Sequence, residues 1–317
     1  MRDLPSRYLA AAVQATPVFL DCEATLVKAG RLVTEAAAMG AKFIVFPEAF
    51  VAGYPYWLWG DRPGTVLGGL EQKGFAALWR EAIDVPGPAT DRLGEAARAA
   101  GVHLMIGVNE RESTYGRGTL YNTMLLFGAD GRILSRHRKL VPTYKERTVW
   151  GAGDGSTLSV SSTPLGRIGG LICWENYMPL ARYHQYAQGV QVYTAVTVDD
   201  SPGWQHLMRT IAAEGRIHVI AACQRFARSQ FPDEPFLSGF APEADVLSSG
   251  GSLIVAPGGE VLAGPLQDRE GILTAEIDLT RQVEERHSLD VTGHYARPDI
   301  FQFTVDEAPE LPYQRRP

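Results

Sequence analysis

The chain has 317 residues, of which 45% are hydrophobic and 21% are charged, and its net charge is −6. This composition is ordinary for a globular protein with a large core, and the negative charge gives no electrostatic reason to expect nucleic acid as a partner. No apolar run approaches 18 residues, so we expect no membrane-spanning helix.

The predicted elements alternate between strand and helix along the chain. Residues 9–20 fit a first strand better than a signal peptide, because apolar and polar positions alternate there. Asp21 can cap a helix that ends at Gly40, since the apolar positions between them fall on one face. The other predicted elements are, in chain order, a strand at 42–46, a helix at 91–100, a strand at 103–108, a hairpin of 121–127 with 132–137, a helix at 179–188, a strand at 191–197, a helix at 204–214, a strand at 218–223 and a hairpin at 252–262.

Alternation of this kind predicts an α/β fold. Pure alternation would give one parallel sheet covered by helices on both faces, but the two hairpins indicate antiparallel pairs and therefore mixed sheets. No linker rich in proline, glycine or serine divides the chain. We therefore expect residues 1–317 to form one domain, with a short C-terminal tail from about residue 300.

Cys173 stands where a buried strand meets polar residues typical of a helix start. Small and apolar residues at 169–172 precede it, and Trp174, Glu175 and Asn176 follow. Backbone N–H groups at such a start favour a thiolate, so we expect a lowered pKa for the Cys173 thiol. Taken alone, the pattern fits an inert, packed cysteine equally well.

Two other strand ends carry complementary chemistry. The strand at 42–46 stops at Pro47 and is followed by Glu48, and Lys139 follows the second strand of the first hairpin. A carboxylate, an ammonium group and a thiol at the ends of separate strands can converge at one edge of a sheet. Each signal is weak alone, but the three together strongly indicate a catalytic site in which Cys173 is the nucleophile.

Other motifs are assigned structural roles. The glycine-rich run at 151–155 lacks the flanking strand and helix of a phosphate loop, and it precedes residues 156–160, which have strand character. The positions of the seven histidines in the sequence do not single out any of them as a base for Cys173 or as a metal ligand. Cys22 and Cys223 are expected to be structural. We therefore predict no metal site.

The segments around the three strand ends belong to a longer pattern. Motifs of one known family occur at Cys173-Trp174-Glu175-Asn176 and in four other segments, residues 107–110, 119–123, 138–155 and 293–299. Over residues 11–303 the chain resembles the nitrilase (carbon–nitrogen hydrolase) superfamily, and specifically true nitrilases, because amidase branches more often have an aromatic residue and an aspartate after the cysteine. The resemblance implies a four-layer α-β-β-α sandwich with two mixed sheets.

The same resemblance implies a Glu–Lys–Cys triad of Glu48, Lys139 and Cys173, supported by Glu146. The implied reaction is hydrolysis of organic nitriles to carboxylic acids and ammonia, through a cysteine thioimidate and a thioester, without a metal or organic cofactor. Two alternatives are an aliphatic amidase-type hydrolase, which would share the triad, and a non-catalytic assembly module, which would have no need of a thiol, an amine and two acids together.

The substrate pocket is predicted from aromatic density near these residues. Residues 54–59 form a dense aromatic run after Glu48, which fits a pocket wall, a subunit contact or core packing. The residues assigned to substrate binding are Tyr54, Trp57, Tyr144, Trp174 and Thr197.

Partners and location follow from the resemblance and from cysteine usage. The expected partner is a small nitrile, and the expected assembly is a homodimer, with a higher spiral oligomer left open. The three cysteines show no metal-like or redox pair spacing, and an odd number suits a reducing compartment. We therefore expect a cytoplasmic protein.

Overall fold

The structure is a computed structural model that describes residues 7–59, 69–116, 118–234, 237 and 245–311. Six α-helices lie in these ranges: α1 Cys22–Ala38, α2 Leu70–Glu81, α3 Pro88–Ala100, α4 Pro179–Ala187, α5 Pro202–Gly215 and α6 Leu279–Arg286. The strands there are β1 Arg7–Gln14, β2 Ala41–Val45, β3 His103–Arg111, β4 Leu120–Phe127, β5 Ile133–Arg138, β6 Ser161–Thr163, β7 Gly166–Ile172, β8 Val192–Thr197, β9 His218–Cys223, β10 Arg225–Ala227, β11 Val246–Val255, β12 Val261–Gln267 and β13 Gly271–Asp278.

The strands form two mixed sheets. The first has the order β13-β1-β2-β3-β4-β5, and β1, β2 and β3 are parallel to one another. The second has the order β10-β11-β9-β8-β7-β6, with β12 paired to β11 and with β7, β8 and β9 parallel. Hairpins supply antiparallel pairs in both sheets, as the sequence predicts.

Apolar side chains fill three interfaces between four layers. Between the sheets, Phe43 and Met105 of the first sheet lie in one buried cluster with Ile172 and Val196 of the second. On the outer face of the first sheet, α1 and α3 bury residues such as Leu32 and Leu93. On the outer face of the second sheet, α4 and α5 bury residues such as Tyr186 and Trp204. The predicted α-β-β-α sandwich with two mixed sheets is therefore confirmed.

Some boundaries differ from the sequence-based expectations. The sequence pattern does not predict α2 or β13, and α3 begins at Pro88 because proline is favoured in the first helical turn. The strand character expected at 156–160 is wrong. Asp154 accepts the N–H of Ser156 at 3.0 Å and starts a 3-10 helix, so the strand begins only at Ser161.

Residues 301–311 lie against the body of the fold. Phe303 contacts the ring of Tyr183 on α4 with 5.1 Å between centroids, and the N–H of Glu310 donates to Asp154 Oδ2 at 2.8 Å. Within the part of the chain that the structure describes, no helix is both long and apolar enough to cross a membrane.

Candidate active site

Glu48, Lys139 and Cys173 lie together, each just past the end of a strand. Glu48 follows β2 and Lys139 follows β5 in the first sheet, whereas Cys173 follows β7 in the second. Strands β2 and β5 run in the same direction, so their carboxyl ends share one edge. All three residues are buried. The structure thus brings together three groups that the sequence carries in separate segments.

A tight loop after β2 presents Glu48. Ala49 and Ala52 both adopt left-handed backbone conformations, with φ of 46° and 74°. Gly107 of β3 lies against the loop, and a Cβ at this position would lie 2.5 Å from the Glu48 Cα. Gln224 of the second sheet donates its side-chain N–H to the Glu48 carbonyl oxygen at 2.7 Å. The loop is therefore held from both sheets.

Lys139 is a fully buried ammonium group between two carboxylates. Its Nζ donates to Glu146 Oε2 at 2.7 Å and lies 3.4 Å from Glu48 Oε2. Glu146 also accepts hydrogen bonds from the Tyr54 hydroxyl at 2.8 Å and from the Thr143 N–H at 2.7 Å. Burial alone would lower the pKa of Lys139, but Glu48 and Glu146 outweigh it and raise that pKa above its usual value. The site therefore contains a permanent positive charge.

Glu48 is tuned to exchange a proton near neutral pH. Burial, with the charge of Glu146 adding to it, raises the pKa of Glu48 to about 7, against the opposing effects of Lys139 and Asn122. Asn122 donates to Glu48 Oε2 at 3.1 Å. The other oxygen, Oε1, is buried and has no hydrogen-bond partner among the described residues. A carboxyl group in this state can act as a base and then as an acid.

Cys173 is the first residue of a 3-10 helix, Cys173–Tyr177. Its backbone φ of 49° is uncommon for a residue other than glycine. Its Sγ accepts a hydrogen bond from Thr197 Oγ1 at 3.2 Å. Burial and the charge of Glu48 raise the pKa of the thiol well above its usual value, despite Lys139 and Thr197. The expected lowering of this pKa is wrong, because desolvation outweighs the helix start. A thiol in this state would need a base before it could act as a nucleophile.

A cavity of about 650 Å³ opens above Cys173. Its lining residues are Tyr54, Tyr56, Trp59, Thr143, Tyr144, Glu146, Cys173, Trp174, Val198, Asp199, Val246 and Leu247. The rings of Trp59 and Tyr144 stack at 6.3 Å between centroids, and Trp174 Nε1 donates to Asp199 Oδ2 at 2.8 Å. Such an aromatic, largely apolar wall with a few polar groups is typical of a small-molecule site.

The predicted pocket residues are distributed unevenly. Tyr54, Tyr144 and Trp174 line the cavity, and Thr197 contacts the sulfur at its base. Trp57 does not line it. Its ring packs edge-to-face on Phe19 in an aromatic core and borders a separate pocket beside α2.

The sequence pattern does not predict several residues of the site, namely four that line the cavity and Asn122, which binds Glu48. Trp59 belongs to the aromatic run at 54–59, so its ring type was a usable signal, and Asn122 lies in a motif that carries the family resemblance. Val246 and Leu247 begin β11, which the sequence pattern places no earlier than residue 252. Asp199 follows β8 and has no local signal beyond its place at a strand end.

The structure also locates the motifs to which the sequence assigns structural roles. Gly153, in the glycine-rich run, donates its N–H to the Lys139 carbonyl oxygen at 2.8 Å, and a Cβ there would overlap the Arg138 carbonyl. Cys22 is partly buried and Cys223 is buried, and neither forms a disulfide. In the described ranges, no group of three or more His, Cys, Asp or Glu residues is placed to hold a metal ion.

Comparison with known proteins agrees with this geometry. A family model described as carbon–nitrogen hydrolase matches residues 9–285. The chain is 47% identical to an aliphatic nitrilase of Sinorhizobium fredii, over 96% of this chain and 97% of that protein. It is 45% identical to a bifunctional nitrilase/nitrile hydratase of Lupinus angustifolius, over 96% of this chain and 87% of that protein.

Solved structures agree in fold. A carbon–nitrogen hydrolase from Helicobacter pylori superposes with a TM-score of 0.72 at 21% identity, covering 93% of this chain and 97% of that one. Nit3 of Saccharomyces cerevisiae gives 0.73 at 20% identity, covering 93% and 98%. Structures of such low identity show only that the fold is shared. The assignment to the nitrilase branch rests on the nitrilases described above, which match over nearly their full length. The chain belongs to the carbon–nitrogen hydrolase family, in its nitrilase branch.

Proposed function

We propose that this protein hydrolyses organic nitriles to carboxylic acids and ammonia, with Cys173 as the nucleophile, Glu48 as the general base and acid, and Lys139 as the electrostatic stabiliser. The observation that carries the proposal is the buried cluster in which Lys139 Nζ lies 3.4 Å from Glu48 and 2.7 Å from Glu146, beside a protonated thiol. The nitrilases among its relatives support the substrate class.

In the first half of the reaction the thiol adds to the nitrile carbon. Glu48 takes the proton from Cys173 through its unpartnered Oε1 and passes it to the nitrile nitrogen, which leaves a neutral thioimidate on sulfur. Water then adds to the thioimidate carbon and gives up a proton to Glu48. Lys139, together with backbone N–H groups near Trp174, stabilises the negative charge that develops on the substrate.

The second half decides the product. Glu48 returns its proton to nitrogen, which becomes an amino group, and then carries the hydroxyl proton to the same nitrogen. The carbon–nitrogen bond breaks, ammonia leaves, and a thioester remains on Cys173. A second water, deprotonated by Glu48, releases the carboxylic acid and restores the thiol. Loss of the thiolate instead of ammonia would give an amide. Glu146 favours the acid branch, because it holds Lys139 at 2.7 Å and is itself held by Tyr54 and Thr143.

The proposal is tested with a panel of aliphatic, aryl and arylacetyl nitriles and their matching amides. We expect ammonia and acid from the nitriles, with amide as a minor product, and a covalent adduct on Cys173 by mass spectrometry. Turnover of amides alone would indicate an amidase, and amide as the sole product would indicate a nitrile-hydrating enzyme. Absence of both turnover and adduct would indicate a non-catalytic module.

The reaction should depend on pH through Glu48. Its pKa of about 7 in the folded protein means that kcat/KM for a neutral nitrile should rise as pH increases through about 7, when the carboxylate forms. Glu48→Gln should lose this rise together with turnover. Measuring kcat/KM at pH values on both sides of 7 tests this prediction. A kcat/KM that does not change with pH in the wild-type protein would contradict the role of Glu48 as a base.

We also propose that residues 1–317 form one domain, that the protein is a homodimer, and that it is cytoplasmic. Pairing of β1 with β13 supports a single domain. Free cysteines support a reducing compartment.

Exposed apolar side chains around α4 and its neighbouring segment support self-association, namely Tyr177, Leu180, Tyr295, Ile300 and Phe301. Sedimentation equilibrium should give twice the chain mass of 34.6 kDa, and a monomer would contradict the dimer.

A further inference from the structure

Glu175 is a fully buried carboxylate to which the chemistry above gives no part. Its two oxygens bind different segments. Oε1 accepts the N–H of Leu140 at 2.6 Å, and Oε2 accepts the N–H of Ile172 at 2.7 Å. Leu140 directly follows Lys139, and Ile172 directly precedes Cys173. The Glu175 side chain therefore binds the backbone next to Lys139 and also the backbone next to Cys173.

His137 of β5 contacts the same carboxylate of Glu175. Its Nε2 lies 3.0 Å from Oε2 and 3.2 Å from Oε1 of Glu175, and its Nδ1 lies 3.2 Å from Thr157 Oγ1. Burial alone would raise the pKa of Glu175, but His137 and the two backbone donors outweigh it and lower that pKa. The carboxylate is therefore ionised at neutral pH and can accept at both oxygens.

These contacts join the two sheets at the site. Lys139 follows β5 of the first sheet, and Cys173 follows β7 of the second, so no shared strand sets the distance between them. We propose that Glu175 is a positioning residue that fixes the separation of Lys139 and Cys173. This inference rests on the proposed function, in which Lys139 must face the carbon bonded to Cys173.

Two substitutions separate the parts of this clamp. Glu175→Gln keeps the length but has one oxygen, so its NH2 group must face one of the two backbone N–H donors. Glu175→Asp keeps both oxygens and the charge but is one methylene shorter, so it cannot reach both donors. A misplacement of about 1 Å can reduce turnover by about 10²-fold. We expect a loss of that order in kcat for Glu175→Gln, with KM little changed and with part of the loss recovered in Glu175→Asp.

The measurement is kcat per folded site, with the folded fraction determined by gel filtration and circular dichroism, so that misfolded protein does not enter the result. The matched control is Glu270→Gln, which removes a carboxylate that accepts the Thr16 N–H at 3.0 Å and pairs with Lys28 at 2.8 Å, in a different part of the fold. This control should retain wild-type kcat. If Glu175→Gln lowers only the melting temperature and keeps kcat per site within about twofold of wild type, the positioning role is overturned.

A second readout does not need nitrile turnover. The rate of Cys173 alkylation against pH, followed by mass spectrometry, reports how strongly Lys139 opposes Glu48 and Glu146 at the sulfur. Displacement of Lys139 in Glu175→Gln should move the midpoint to higher pH, whereas simple loss of a negative charge would move it to lower pH. A lower or unchanged midpoint overturns the inference. Should the wild-type protein fail to hydrolyse nitriles, the proposed function fails, and this profile still decides the role of Glu175.

Discussion

Replacing Cys173 with alanine should abolish nitrile hydrolysis, with a fall in kcat of about 10⁴-fold or more. The reason is chemical, because the thioimidate and the thioester form on the Cys173 sulfur, and the other buried thiol, Cys223, is not among the described residues that line the cavity. Removal of one sulfur from a buried position should change stability only modestly. Ammonia release from a nitrile, measured at enzyme concentrations high enough to detect the residual rate, checks the result.

Cys223→Ala is the matched control for that experiment. Cys223 is also buried at the carboxyl end of a strand of the second sheet, where its sulfur lies 3.6 Å from the Asp199 carbonyl oxygen and 3.8 Å from Ser248 Oγ. This variant should keep turnover close to wild type and should suffer a similar small loss of stability. Substantial nitrile hydrolysis by Cys173→Ala would overturn the covalent mechanism.

Lys139→Met should remove activity and also destabilise the fold by about 3–5 kcal/mol, because it leaves two buried carboxylates without their cation. Lys139 is 0% exposed and makes its ion pairs to Glu48 and Glu146 entirely inside the protein. Chemical denaturation at neutral pH measures the free energy of unfolding. Lys28→Met, which breaks a partly exposed pair with Glu270, should cost about 0–1 kcal/mol in the same assay.

The stability deficit of Lys139→Met should grow with pH. The pKa of Lys139 is raised in the folded wild-type protein, so titration of Lys139 itself changes stability only above its unfolded pKa, and any pH dependence in neutral and acidic solution must come from a carboxyl group. In the variant, Glu48 loses the cation that favours its ionised form, so the folded state holds its proton more tightly than the unfolded state does. The deficit should therefore be smallest in acid, where this carboxyl is protonated, and an equal deficit at all pH values would contradict this electrostatic account.

The positions of Glu48, Lys139 and Cys173 could be predicted from sequence because each residue follows a predicted strand. The sequence pattern locates both ends of β2, β5 and β7 to within three residues, and the carboxyl ends of β2 and β5 share an edge once the sheet is formed. The four-layer arrangement needed the family resemblance, since periodicity alone does not tell one sheet from two. Strand β13 was missed because its pairing with β1 lies at the other end of the chain.

The pocket and the electrostatics could not be predicted to the same degree. Trp57 and Trp59 are two residues apart in one aromatic run, yet one packs on Phe19 and the other lines the cavity, because a 3-10 turn points them in different directions. The local pattern at Cys173 indicates a helix start, which lowers a thiol pKa. Only the assembled structure reveals the burial and the neighbouring Glu48 that raise it.

The division of the reacting groups between two sheets has a consequence for folding. A chain with only the first sheet formed would have the acid and the amine but no sulfur opposite them, and one with only the second would have a sulfur without its base. The first sheet is itself completed by β13, so nearly the whole chain must be synthesised before its edge closes. Enzymatic activity during refolding should therefore appear late and in a single step, because it requires the two sheets to pack together and not only the strands and helices to form.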